Sequence, residues 1–226
     1  MATKMFHCGN MACIAVLSLF LVPAAHAQSE PEVLITKAQT TFSNFVRDPD
    51  MTWIQNNLRR AKGVLITPEI VKVGFIFGGS GGRALLVARD AATNEWRGPA
   101  FYTLATASVG FQAGVAVSEN VTLVMTEKGM NTLFAPSVKL GGDASVAAGP
   151  VGAGAAGDVT SDFVSFSRSK GVYGGLNLDG TVISVNNDWN KTYYGKDVLP
   201  PDILVRGNVK SDKANALLTA VSAAAK

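Results

Sequence analysis

From residue 30 onward the chain changes its hydrophobic period twice. Leu34, Ala38, Thr41, Phe42, Phe45 and Val46 recur at intervals of three and four, which places them on one face of a helix. Pro49 follows the end of that helix, and a second short helix is predicted over Thr52–Ala61, stopping at Gly63. After Gly63 the apolar positions shorten to strand-like runs. These are expected at 63–67 (stopped by Pro68), 73–77, 84–88, 101–107, 110–117, 121–126, 145–148, 162–168, 172–178 and 181–185. A short helix is expected over 128–134. Asp179-Gly180 carries the signature of a two-residue hairpin joining the last two strands. The pattern then returns to helix at 188–194, with Pro201 opening a further short helix and a final helix over 211–225 that has Ser211 as its N-cap.

Helices, then many strands, then helices argue for an α+β fold with a largely antiparallel sheet rather than alternating βαβ units. Glycine sharpens the picture. The chain has 23 glycines in 226 residues, about one in ten against an average near 7%. Set among β-branched residues, they indicate turns, bulges and bends in a curved sheet that could approach a barrel. No repeat or long linker divides the chain. We expect one domain over 28–226, with N-terminal helices at 30–62, a β-rich core at 63–187 and a helical segment at 188–226.

The first 27 residues have a different character. Lys4 precedes the apolar run Met11–Val22, and Ala25-His26-Ala27 forms a small-x-small cleavage site before Gln28. This is the pattern of a secretory signal peptide, with an apolar run too short to span a bilayer. A short leader and a mature chain without disulfides point to a bacterial periplasm. Cys13 lies too early in the run to be a lipidation site. Cys8, Cys13, His7 and His26 all fall in this segment, so residues 28–226 contain neither cysteine nor histidine. That excludes a disulfide, a Cys/His zinc site, a Ser-His-Asp or Cys-His nucleophile and imidazole acid–base chemistry within them. No cofactor is expected. The net charge of +3 is too small to imply a nucleic-acid partner by bulk charge.

Several motifs compete with blander readings. Gly152-Ala153-Gly154-Ala155-Ala156-Gly157 matches the dinucleotide fingerprint, but a strand pattern follows it where a helix is needed, so a loop is the better reading. Gly78-Gly79-Ser80-Gly81-Gly82-Arg83 reads as a glycine turn between two strands, with a backbone anion nest beside Arg83 as the functional alternative. Ser167-Arg168-Ser169-Lys170 fits S-x-x-K but ends a strand rather than opening a helix. Asn186-Asn187-Asp188 reads as a turn capping the next helix rather than a calcium loop. Asn120-Val121-Thr122 and Asn190-Lys191-Thr192 fit glycosylation sites, which matter only in a eukaryotic secretory pathway. Arg59, Arg60 and Lys62 form a basic run at the end of the predicted helix that carries Trp53, a composition suited to a membrane interface; the alternative is a solvated helix end. No Asp/Glu pair has a recognisable hydrolase motif.

The order of segments resembles the SYLF domain family. The matching pieces are 61–68 (AKGVLITP), 73–79 (VGFIFGG), 96–102 (WRGPAFY), 110–114 (GFQAG), 147–152 (AAGPVG), 167–175 (SRSKGVYGG) and 193–195 (YYG). The resemblance implies a non-enzymatic phospholipid-binding module, with a preference for phosphorylated inositol lipids in eukaryotic members. Fungal relatives also bind and bundle actin, a partner a periplasmic protein would not meet. Eukaryotic members use a basic amphipathic N-terminal helix, whereas residues 33–46 carry Lys37 and little other positive charge. The expected lipid contacts therefore move to Arg59, Arg60, Lys62, Arg83 and Lys170, assisted by glycine-rich loops. The partner expected is an anionic phospholipid or membrane surface; the alternative is an envelope protein partner with incidental lipid binding.

Overall fold

The computed structural model describes residues 28–74, 77–109, 114–155, 160–169, 172–174 and 178–226. The expected leader, Lys170 and Gly171, the segment 110–113 and Gly157 lie outside them. Helix α1 (Glu30–Arg47) opens with Pro31 and the acids Glu30 and Glu32 in its first turn, and has Arg47 in its last, each favourable to the helix dipole or to N1 geometry. Its apolar stripe buries Leu34, Ile35, Ala38, Phe42 and Phe45. A 3₁₀ turn at Pro49–Met51, α2 (Thr52–Asn57) and a second 3₁₀ turn at Leu58–Arg60 lead into the sheet.

The strands are β1 (Gly63–Gly74), β2 (Phe77–Arg89), β3 (Trp96–Val109) and β4 (Gly114–Val124), then α3 (Glu127–Thr132), β5 (Ser137–Lys139), β6 (Val146–Ala148), β7 (Phe163–Ser169), β8 (Val172–Gly174) and β9 (Val182–Val185). Helices α4 (Asn187–Tyr194), α5 (Pro200–Leu204) and α6 (Asn215–Ala224) complete the chain. The sheet order is β5-β9-β3-β2-β1-β4-β7-β6, with β8 beside β7. All pairings are antiparallel except β6 with β7. The expected α+β class with a curved, largely antiparallel sheet is what the chain forms.

The sheet separates two apolar cores. On one face Val64, Ile66, Leu85, Val87, Phe101, Val121, Leu123 and Phe166 pack against α1, α2 and α6. On the other, Leu65, Leu86, Tyr102, Val124, Phe163 and Ile183 pack against Met130, Leu133, Ile203 and Leu204. Val138 at one end of the strand order is part of this second core, and Val146 at the other end packs against it. The sheet therefore curls around that face, and side chains fill the inside of the curl.

Four expectations are corrected. Pro68 does not stop the strand: β1 runs through it by a register shift between Ile66 and Glu69 on one side and Thr67 and Ile70 on the other, a bulge that spares the ladder a missing N–H. The segments 110–117 and 121–126 are not separate, because β4 spans Gly114–Val124. Gly78–Gly82 lie in the first half of β2, hydrogen-bonded to β1 and β3, rather than in a turn. Asp179-Gly180 does make a tight turn, closed by the Thr181 N–H donating to the Leu178 carbonyl at 2.9 Å. However, β8 pairs with β7 while β9 pairs with β3 and β5, so it joins no hairpin.

Candidate functional site

The four long strands continue past their doubly covered part into an arm made of residues 69–74, 77–83, 103–109 and 114–119. Strand alternation carries one face of the arm on from the face that α1 covers. Val71 lies opposite Val117 and Gly81, and Val73 opposite Val115 and Gly79. These valines are exposed, from 37% at Val71 to 67% at Val115. The opposite face presents Lys72, Ser80 and Thr106, which pair across the strands or with Ala116. The arm is thus amphipathic, with α1 crossing at its root.

Polar contacts fasten α1 along that crossing. Lys37 pairs with Glu69 at 3.3 Å. Thr41 donates to Glu119 at 3.0 Å, and Arg168 holds the other oxygen of the same carboxylate through its Nε at 2.8 Å and through Nη2. The Arg168 guanidinium also lies over the Phe45 ring.

Between α1 and the arm lies a cleft of about 580 Å³, lined by Val33, Leu34 and Lys37 on the helix side and by Val71, Gly81 and Arg83 on the sheet side. Arg83 is fixed from two directions. Its Nη1 donates to the Thr103 hydroxyl at 2.5 Å, and its guanidinium lies 5.3 Å from the Trp189 ring centroid, a cation–π geometry. Trp189 is positioned by the cap of α4: the Asn186 side chain accepts from the Trp189 N–H at 3.1 Å, as the capping reading of that turn expected. Phe101 meets the Trp189 ring edge-on. Arg83 is exposed, and among the described residues no carboxylate forms a salt bridge with it. Glu30 and Glu69 also line the cleft, Glu69 being held by Lys37.

Arg59, Arg60 and Lys62 come together elsewhere, around a second depression of about 510 Å³ that also includes Arg89, Asp90 and Glu127. Arg59 and Arg60 are exposed. Lys62 is engaged with Glu127 at 2.9 Å. Arg89 donates to the carbonyls of Leu58, at 3.0 Å, and Arg59, and stacks on Trp96. It thereby ties down the 3₁₀ turn that carries Arg59 and Arg60. Burial lowers its pKa below the usual arginine value.

The expected cations therefore split into two groups. Lys62 adjoins Gly63 at one end of β1, while Arg83 faces Glu69, six residues along, which is roughly 20 Å of strand. They cannot share one phosphate. Lys170 lies outside the described residues. Trp53 is not an interfacial aromatic; it is 2% exposed and packs on Phe166 at 5.6 Å. The glycine-rich segment forms no anion nest, since Gly78–Gly82 are extended and their backbone groups belong to the β1 and β3 ladders. Asn120 and Asn190 are fully buried and hydrogen-bonded, so neither glycosylation pattern is presented to solvent. Among the described residues no group of His, Cys, Asp and Glu is arranged to hold a metal. No sequence motif brings Trp189, Thr103 or the arm valines to the site; the structure does. The alternation Val71-Lys72-Val73 and Val115-Ala116-Val117 was the available signal for the valines.

Comparison with known proteins adds a family to this geometry. A family model described as Ysc84, Las17-binding protein actin regulator, matches residues 105–224. The chain is 32% identical over 160 residues to Protein YSC84 of Saccharomyces cerevisiae, covering 68% of this chain and 34% of the yeast protein. It is 31% identical over 165 residues to LAS seventeen-binding protein 3 of the same species, covering 70% and 35%. It is 28% identical over 177 residues to SH3 domain-containing YSC84-like protein 1 of Xenopus laevis, covering 76% and 52%. The chain spans about a third to a half of the length of these relatives.

Proposed function

We propose that this chain, which belongs to the Ysc84 (SYLF) family, is a non-enzymatic module that binds anionic phospholipid surfaces. The observation that carries the reading is the uncovered valine face of the arm beside Arg83, a cation with no carboxylate partner among the described residues. Apolar area of this kind on a folded protein marks a contact surface for lipid or protein. A cation at its edge selects an anionic partner. Arg59 and Arg60 supply a second, separate patch of positive charge. The leader-like pattern of residues 1–27 supports placement in a bacterial periplasm, where the module would attach peripherally to the membrane.

Co-sedimentation with vesicles tests this. Binding to phosphatidylglycerol-containing vesicles and not to pure phosphatidylcholine is expected, weakened by Arg83→Glu and, to a lesser degree, by the double change Arg59→Glu/Arg60→Glu. Equal absence of binding to both vesicles would remove the proposal.

The description of the matching family as an actin regulator favours a second reading, in which the same module contacts a protein and lipid binding is incidental. A secreted chain would not meet actin, so the partner would be an envelope protein. In that case a stable partner is recovered by pull-down and charge reversal at Arg59 and Arg60 leaves function intact.

A further inference from the structure

The arm face next to Arg83 is a trough. Gly79 and Gly81 of β2 lie beside Ala107 and Ala105 of β3, and Val73 and Val71 of β1 stand along their other side. Steric need does not explain Gly81. A Cβ built there meets only the Leu104 carbonyl oxygen, at 3.4 Å, and its φ is not in the left-handed region. Gly82, one residue on, is different: a Cβ there would lie 2.4 Å from the Glu69 carbonyl oxygen at the β1 bulge. The fold requires a glycine at 82 and leaves 81 free to carry a side chain, so the missing side chain at 81 empties the trough. The trough leads into the cleft beneath α1 and reaches Arg83. From Gly79 to Arg83 it runs about 13 Å at roughly 3.3 Å per residue.

We propose that this groove holds a single acyl chain with its anionic head on Arg83; the inference rests on the lipid-surface reading and names the ligand of that site. Charge fixes the orientation. Arg83 is held by Thr103 and Trp189 with guanidinium N–H groups left over, so it is ready to take a carboxylate or phosphate. The floor fixes the chemistry of the rest. Its backbone N–H and C=O groups are used in the ladders of β2 with β1 and β3. An extended peptide laid there would bury its own amides without partners, whereas a hydrocarbon chain buries none. The cleft volume of about 580 Å³ falls within the roughly 300–1,000 Å³ of small-molecule sites.

The head could be a free fatty-acid carboxylate or the phosphate of a lysophospholipid, and the test separates them. Calorimetric titration uses the purified chain with dodecanoate, dodecanoyl lysophosphatidate and dodecyltrimethylammonium, each below its micelle concentration. One anionic amphiphile per chain and no binding of the ammonium are expected. The tighter of the two anions identifies the head. Arg83→Gln weakens binding by about ten-fold or more. Gly81→Leu fills the trough and also weakens it by at least about ten-fold, with an unchanged circular dichroism spectrum. Val71→Asp, an exposed change in the trough wall, is the second variant should Gly81→Leu fail to fold. The proposal is overturned if neither anion binds, or if both trough variants bind like the parent, while anionic vesicles still sediment the protein. Loss of vesicle binding with amphiphile binding retained would overturn the surface reading and leave the groove standing.

Discussion

The same four strands behave as two different materials along their length. In the base, Val64, Leu65 and Ile66 are consecutive and all fully buried, as are Leu85, Leu86 and Val87 opposite them. Both faces are covered there, so the sequence is apolar without alternation. In the arm the hydrogen-bond ladder continues, but Val73 is 50% exposed and Val115 67%. Folding free energy comes chiefly from apolar burial, so the base stabilises the sheet while the arm is carried along by its register. Residues released from packing in this way are available for binding.

The largest expected effect comes from breaking the base. Phe166 is fully buried, touches Trp53 and lies beneath Gly149, where an added Cβ would meet its ring at 2.0 Å. Phe166→Ala should lower stability by about 3–5 kcal/mol in urea denaturation. Val115→Ser in the arm should stay within about 0.5 kcal/mol. Similar losses at the two positions would end the distinction between base and arm.

The boundary between the regions gives the next effect. Gly82→Ala forces β2 away from the bulge at Glu69 and should cost about 1–3 kcal/mol, against no more than about 0.5 kcal/mol for Gly81→Ala. Thermal melts of the pair check this. Equal costs would mean that Gly81 is structural, and would weaken the case for an open trough.

A third test uses pH on the base alone. Burial raises the Asp162 pKa, but hydrogen bonds from Thr126, the Ser145 amide and the Ser145 hydroxyl, together with Lys128, outweigh it and bring the group down from 3.8 to about 2. A carboxylate held lower in the folded chain than in the unfolded one stabilises fully above the unfolded value, and that stability is lost as pH falls from about 4 towards 2. Asp162→Asn should cost about 1–3 kcal/mol at neutral pH. It should also flatten the dependence of stability on pH between 4 and 2, as followed by denaturation at fixed pH. A variant with the parental acid dependence would assign that dependence to other carboxylates.

What the sequence disclosed divides along the same line. The helices were legible because periodicity is local: α1 shows its stripe, and Asn186 caps α4 as its neighbours suggested, but Ser211 makes no side-chain cap and precedes a 3₁₀ turn, with α6 starting only at Asn215. The glycine run was misread because glycine favours turns, whereas its conformation is imposed by pairing with strands on both sides. Pro68 was misread for a similar reason, since the bulge that absorbs it needs both neighbouring strands. Arg83 was named from the sequence, but Trp189 stacks on it from far along the chain, and no local pattern records such a contact. Arg59 and Arg60 were also named, yet their distance from Arg83 emerges only when β1 is laid out between them.

The smallest expected change in stability carries the sharpest functional consequence. Val115 and Val117 face the same side as Val71 and Val73 and lie directly opposite them. Replacing both by serine keeps the strand and removes the apolar surface, so the fold should shift by less than about 0.5 kcal/mol per site. If the arm is the lipid contact, binding to anionic vesicles should fall steeply. Fully burying a valine side chain is worth about 1.5–3 kcal/mol; with Val117 and Val115 47% and 67% exposed, roughly half of that is available at each, so the two together represent about ten-fold or more in affinity. Sedimentation of the double variant beside Arg59→Glu/Arg60→Glu then weighs apolar contact against charge. A double serine variant that sediments like the parent would show that the valines stay in water and that binding, where it occurs, is electrostatic.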